Sequence, residues 1–151
     1  MSEYFMAEAL KEAQKAYDRE EIPIGAVIVK DGKIIGRGFN QKEETCNATA
    51  HAEMIAIKQA SEMLKAWRLT GCTMYVTLEP CTMCAGALVN ARIDKLVIGT
   101  SDPKTGACGS VFNIAQDNRL NHQIELQLGV LEEDCSTILK SFFKILRNRD
   151  Y

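Results

Sequence analysis

Four residues of this 151-residue chain have types and spacings that could do chemistry together: His51 and Glu53 in His51-Ala52-Glu53, and Cys81 and Cys84 in Pro80-Cys81-Thr82-Met83-Cys84. The two runs are separated by 26 residues. Cysteines three apart lie one turn apart on a helix, and proline suits a helix start because its missing N–H is not needed there. Two sulfurs so placed can converge on one ion, and the partial positive charge of the helix N-terminus favours the thiolate that binds metal. With His51 as third ligand the set suits zinc by softness and geometry. Three protein ligands leave the fourth tetrahedral position to water, the layout of a catalytic site. Glu53 is then the group to take a proton from that water and to return protons to a substrate. Residues two apart on an ideal helix point to nearly opposite sides, so His51 and Glu53 reach one site only if the helix starts close to residue 50. A closed structural zinc site with Cys72 as fourth ligand is the other metal reading, and it leaves Glu53 without a purpose. Cys46, Cys72, Cys108 and Cys135 otherwise read as small packing or surface residues, and His122 as a polar loop residue.

The elements that must position these groups follow from periodicity. Residues 3–20 place Met6, Ala9, Leu10, Ala13, Ala16 and Tyr17 at helical spacing. Ile24 to Val29 and Lys33 to Phe39 are β-type runs joined by Asp31-Gly32, a tight-turn signal, so they form an antiparallel hairpin. Ala50 to Lys65 has strong helix formers and neither Gly nor Pro. Strand Thr73 to Leu78, helix Cys81 to Asn90 and strand Lys95 to Gly99 make a right-handed parallel βαβ unit. Residues 100–122 read as a long loop, the kind that tends to be functional. A strand over Ile124 to Val130 and a helix from Asp134 to Arg147 complete the pattern. The expectation is an α/β fold, a three-layer α/β/α sandwich around a five-stranded mixed sheet. No linker, repeat or low-complexity stretch divides it, so residues 1–151 are read as a single domain.

Composition narrows the classes of function. Eighteen Lys and Arg against twenty Asp and Glu give a net charge of -2, which excludes a broad basic field for nucleic acid. The charge is unevenly spread, however. Residues 1–21 carry three more acidic than basic groups, whereas residues 140–150 have a surplus of three positive charges beside Phe142 and Phe143. Positive charge can meet phosphates and aromatic rings can stack on unpaired bases. The N-terminus lacks the pattern of a signal peptide, and the longest apolar run, Ile22 to Val29, is too short to span a bilayer. A soluble, cytoplasmic protein without disulfides or membrane contact is expected.

The two-part pattern of His-Ala-Glu and Pro-Cys-x-x-Cys is the known signature of zinc-dependent nucleobase deaminases. More narrowly, the sequence resembles the bacterial tRNA adenosine deaminases of the cytidine-deaminase-like superfamily. The likeness runs through Ile22-Pro23-Ile24-Gly25-Ala26-Val27, Gly38-Phe39-Asn40, Thr49-Ala50-His51-Ala52-Glu53, residues 79–87 and the stretch from Asp102-Pro103-Lys104-Thr105-Gly106 to Ser110. It departs at Val111-Phe112, where a Leu-Met pair is expected, and in its short basic tail.

This resemblance implies a cytidine-deaminase-like fold and hydrolytic conversion of adenosine to inosine at the wobble position of a tRNA anticodon, most specifically an arginine tRNA. One zinc ion per subunit would be held by His51, Cys81 and Cys84, with Glu53 shuttling protons as ammonia leaves. Asn40 would hydrogen-bond the base or its ribose, and Leu78 and Glu79 would form pocket wall. Asp102, Lys104, Thr105 and Asn121 would hold neighbouring nucleotides of the anticodon stem-loop, while Phe142, Phe143 and Arg147 would support or contact the RNA. A homodimer is implied as well. Two other functions share parts of the pattern: deamination of a free base or nucleotide such as guanine, cytidine or deoxycytidylate, and a noncatalytic RNA-binding subunit, against which the presence of Glu53 argues.

Overall fold

Asp31 and Gly32 both adopt positive φ, 51° and 75°, the backbone that a two-residue hairpin turn requires, and they join strand β1 (Gly25–Lys30) to β2 (Lys33–Phe39). Helix α1 (Ser2–Asp18) precedes this antiparallel pair and α2 (Ala52–Leu64) follows it. Then come β3 (Cys72–Leu78), α3 (Thr82–Asn90), β4 (Lys95–Thr100), β5 (Glu125–Leu128) and α4 (Glu132–Arg149). The computed structural model describes residues 1–149; Asp150, counted in the charge of the tail, lies outside the described residues, as does Tyr151. No helix of the described residues is long and apolar enough to cross a membrane. All six cysteines are free thiols.

The strands form one mixed sheet in the order β2-β1-β3-β4-β5, antiparallel on the hairpin side and parallel from β3 to β5. Both faces are covered, and the alternation along each central strand shows it. Ala26 and Ile28 of β1, Met74 and Val76 of β3, and Leu96 and Ile98 of β4 pack with Ala52, Ala56, Ala60, Ala85 and Leu88 of α2 and α3. Their neighbours Val27, Val29, Tyr75 and Val97 pack instead with Phe5, Met6 and Ala9 of α1 and Cys135 of α4. Successive side chains on a strand point to opposite faces, so two helical layers sandwich the sheet as expected.

Helix α2 lies unusually near β2. Its buried stripe of Ala52, Ala56 and Ala60 faces Gly36 and Gly38, and a Cβ at either glycine would run into the helix backbone. Small residues on both partners therefore set the depth at which α2, and with it His51 and Glu53, sits on the sheet.

Several boundaries differ from the sequence reading for local reasons. Gly129 at φ 83° stops β5 at Leu128, two residues before the expected end. Glu132, Glu133 and Asp134 favour the positive end of a helix and carry the start of α4 forward to Glu132. Pro80 lies outside α3, which begins at Thr82 with Cys81 as its N-cap.

Candidate metal centre and its surroundings

Two helix N-termini meet at the centre. His51 is the N-cap of α2, in extended conformation with φ -82° and ψ 152°, and Cys81 holds the same position on α3. Neither side chain caps its own helix, so both are turned to other use. This is the start near residue 50 that a shared site demanded: His51 stands before the first turn and Glu53 within it. The Oδ1 of Asn40, just beyond the end of β2, accepts the N–H of Ala52 at 2.9 Å and supplies the cap that His51 does not.

His51 Nδ1 lies 3.6 Å from the Sγ of Cys81 and 3.6 Å from the Sγ of Cys84. For tetrahedral ligation with bonds of about 2.0 Å to nitrogen and about 2.3 Å to sulfur, the expected N–S separation is about 3.5 Å. The donor set is therefore already spaced for zinc. It is the one such group of three His, Cys, Asp or Glu side chains among the described residues. Cys72 has no part in it. That thiol sits at the opposite end of β3 from the Glu79-Pro80-Cys81 junction, buried and directed at the carbonyl of Thr70, and so a closed site with Cys72 as fourth ligand is overturned.

Electrostatics divide the two sulfurs. A hydrogen bond from Cys84, together with the backbone N–H groups of Met83 and Cys84, outweighs desolvation and brings the Cys81 thiol down to about 5. Cys84 is pushed up, first by its bond to Cys81 and then by burial and the nearby Glu53. Glu53 is 4% exposed, and burial pushes its carboxyl up to about 7 against the opposing pull of its own backbone N–H and the Cys84 thiol. A carboxyl in that range both takes and returns protons near neutral pH. Burial raises the three other buried thiols too, Cys72 in direction and Cys108 and Cys135 to about 12.

Glu79 does not present its carboxylate to a substrate. At 4% exposure it turns into the loop after β4, where Oε1 accepts the N–H of Asp102 at 3.0 Å and the hydroxyl of Ser110. Its Oε2 accepts the N–H groups of Cys108 at 3.0 Å and Ser110 at 3.1 Å. Burial alone would raise this carboxyl, but the four donors outweigh it and hold Glu79 below the usual range. Glu79, expected with Leu78 to form pocket wall, has its carboxylate committed to this loop, and Leu78 is half-buried at the end of β3. Nothing in the spacing of residues 79 and 110 signalled this contact, because three of the four donors are backbone groups. A second such carboxylate escaped the sequence reading: Glu21, buried, accepts the N–H groups of Glu43 and Glu44 at 3.0 and 2.7 Å and fastens the loop before Ala50.

The expected RNA-facing residues divide. Asp102 spends its carboxylate within the loop, Oδ1 on the N–H groups of Lys104 and Thr105 and Oδ2 on the Thr105 hydroxyl, leaving Lys104 and Thr105 exposed. Val111 and Phe112, where the chain departs from the family pattern, are exposed too. Lys104 reaches the last helix and lines one concavity with Lys140, Phe143, Leu146 and Arg147. Phe142 is on the other side. It is 9% exposed and edge-on to both Tyr17 and Phe143, so of the two roles expected for it, supporting or contacting RNA, its packing fits support. Asn121 is exposed in the same long loop, next to His122, whose Nε2–H donates to the Ile93 carbonyl at 2.6 Å.

Comparison with known proteins bears on this arrangement. Residues 2–147 match the family model described as MafB19-like deaminase. A Bacillus subtilis protein named tRNA-specific adenosine deaminase is 51% identical over 147 residues, covering 97% of this chain and 91% of the relative. A Streptococcus pyogenes protein of the same name is 50% identical over 146 residues, covering 97% of this chain and 92% of its own. Among solved structures, one from a study of A-to-I editing by tRNA:A34 deaminases at the wobble position of transfer RNA superposes with a TM-score of 0.87. It is 45% identical and covers 90% of this chain and 99% of that one.

Proposed function

The chain belongs to the MafB19-like deaminase family and stands, with the cytidine-deaminase-like fold, among the tRNA-specific adenosine deaminases; on that premise we propose that it converts adenosine to inosine at the wobble position of a tRNA anticodon. The observation that carries the chemistry is the joint placement of His51, Cys81 and Cys84 at ligand spacing beside a buried Glu53. Those three side chains would hold one zinc ion per subunit. When bound, such an ion supplies the Lewis acidity that makes water a nucleophile at neutral pH.

The rest is done by the chain itself. Water replaces the amino group at C6 of adenine, and ammonia is released. Glu53 moves the protons this exchange requires, from water and to the departing nitrogen. Asn40 has its carbonyl oxygen committed to Ala52, which fixes its amide so that the NH₂ is left to donate to the nucleoside. Lys104 and Thr105 hold nucleotides flanking the target, and Lys140, Phe143 and Arg147 offer charge and a ring to the loop that carries it. We read the preferred substrate as an arginine tRNA, the active unit as a homodimer, the chain as a single domain, and its location as the cytoplasm.

Zinc-loaded protein incubated with an anticodon stem-loop bearing a wobble adenosine, and separately with free adenosine, cytidine and guanine, tests the reading by mass spectrometry. Inosine in the RNA alone is the expected product. Turnover of a free base with none in the RNA sinks it.

A further inference from the structure

The loop that carries Lys104 and Thr105 is fastened to the metal-ligand motif through a single side chain. Its centre has one tie to that motif, the Ala107 N–H donating to the Pro80 carbonyl at 2.8 Å. Its start leaves β4 at Thr100, whose carbonyl accepts the Glu79 N–H at 2.9 Å, and its close is bonded internally, Val111 N–H to the Gly106 carbonyl at 2.9 Å. Glu79 takes both ends: one carboxylate oxygen receives Asp102 at the start of the loop, the other receives Cys108 and Ser110 at its close, and the Ser110 hydroxyl joins the first. The loop is wrapped so closely that a Cβ at Gly106 would strike the carboxylate. Glu79 is also the residue before Pro80 and Cys81, so a shift at one end of this assembly is felt at the other within two peptide units.

We infer that Glu79 is a positioning residue for substrate: its carboxylate sets the register of the 102–110 loop against the helix that bears Cys81 and Cys84, and so fixes where Lys104 and Thr105 stand relative to Glu53. The inference rests on the reading of this loop as an RNA contact. The structure assigns Glu79 to binding, and the reacting atoms to Glu53 and the metal ligands. An amide cannot replace the carboxylate here. Whichever way a glutamine turns, its NH₂ meets backbone N–H donors, at Asp102 on one side or at Cys108 and Ser110 on the other.

Glu79→Gln is therefore expected to retain its zinc content, to raise KM for the anticodon stem-loop on the order of tenfold or more, and to keep kcat within about twofold, since hydrogen bonds to a charged group vanish from the binding frame only. Amide hydrogen exchange at residues 102, 108 and 110 should quicken while β3 and β4 stay protected. A fall in kcat at unchanged KM, or wild-type exchange at those three amides, overturns the inference. Should Glu79→Gln fail to fold, Ser110→Ala withdraws one exposed hydroxyl and gives the same contrast: KM rises by about two- to fivefold, and an unchanged KM there overturns the role. If the wild-type protein leaves the stem-loop untouched, the RNA reading falls, and the exchange measurement still decides whether Glu79 holds the loop.

Discussion

Glu53 and Cys84 lie against each other, both buried, and each moves the other's proton affinity. The carboxyl remains ready to exchange protons because burial opposes its charge, while the Cys81 thiol is eased toward thiolate first by the hydrogen bond from Cys84 and then by N–H groups of the α3 terminus. Removing the carboxylate should therefore separate binding of metal from turnover. Glu53→Ala is expected to keep one zinc per chain, by elemental analysis, and a wild-type melting curve within a few degrees, yet to lose about 10²–10⁴-fold in kcat. Retention of wild-type turnover would remove Glu53 from the proton pathway. All four residues of this centre could be named from residue type and spacing, because ligand chemistry admits few alternatives. Asn40 was reachable only through family likeness; its grip on Ala52 joins the end of a strand to the start of a helix, a contact that spacing in sequence does not encode.

At the scale of elements, the position of the centre depends on how deeply α2 is set into the sheet. Gly36 and Gly38 against an alanine stripe permit backbone-to-backbone approach, so the helix terminus arrives beside α3 and does not ride above it. Gly38→Ala should force α2 outward. Overpacking of this kind costs about 1–3 kcal/mol, which lowers Tm by roughly 2–4 °C per kcal/mol in a chain of this size. Because Gly38 faces Ala52, the displacement falls on the turn that holds His51 and Glu53, and zinc affinity measured with a competing chelator should weaken together with Tm. A variant with lowered Tm and native zinc affinity would show that the terminus is anchored by Asn40 alone. The hairpin, both faces of the sheet and the parallel unit were legible in the sequence because alternation and turn chemistry mark them directly. Strand and helix ends were less so: the place where β5 yields to α4 is decided by one glycine and three acids acting over a single turn.

Across the whole molecule, the small net charge conceals a division that the fold puts to use. The acidic first helix covers one side of the sheet, and part of its charge is spent internally, with Glu8 and Glu12 both receiving Arg37 of β2. The basic last helix brings Lys140 and Arg147 to Lys104, so residues more than thirty positions apart share one surface. That convergence was not legible from the tail alone, whose phenylalanines look alike in sequence; packing turns Phe142 in and leaves Phe143 at 38% exposure. Replacing Lys140 and Arg147 together by alanine should weaken stem-loop affinity and flatten the plot of log affinity against log salt, by about 0.7–0.9 for each phosphate that is no longer neutralised. An unchanged slope in a filter-binding or anisotropy titration would make α4 a packing element only.

Three of the four donors that grip Glu79 are backbone N–H groups, which every residue but proline carries. The grip of Glu79 accordingly makes no use of the side chains at positions 103, 104, 111 and 112. Exposed side chains there can change without disturbing these bonds, provided that Gly106 stays and that proline is kept from 102, 104, 105, 107, 108 and 110–112.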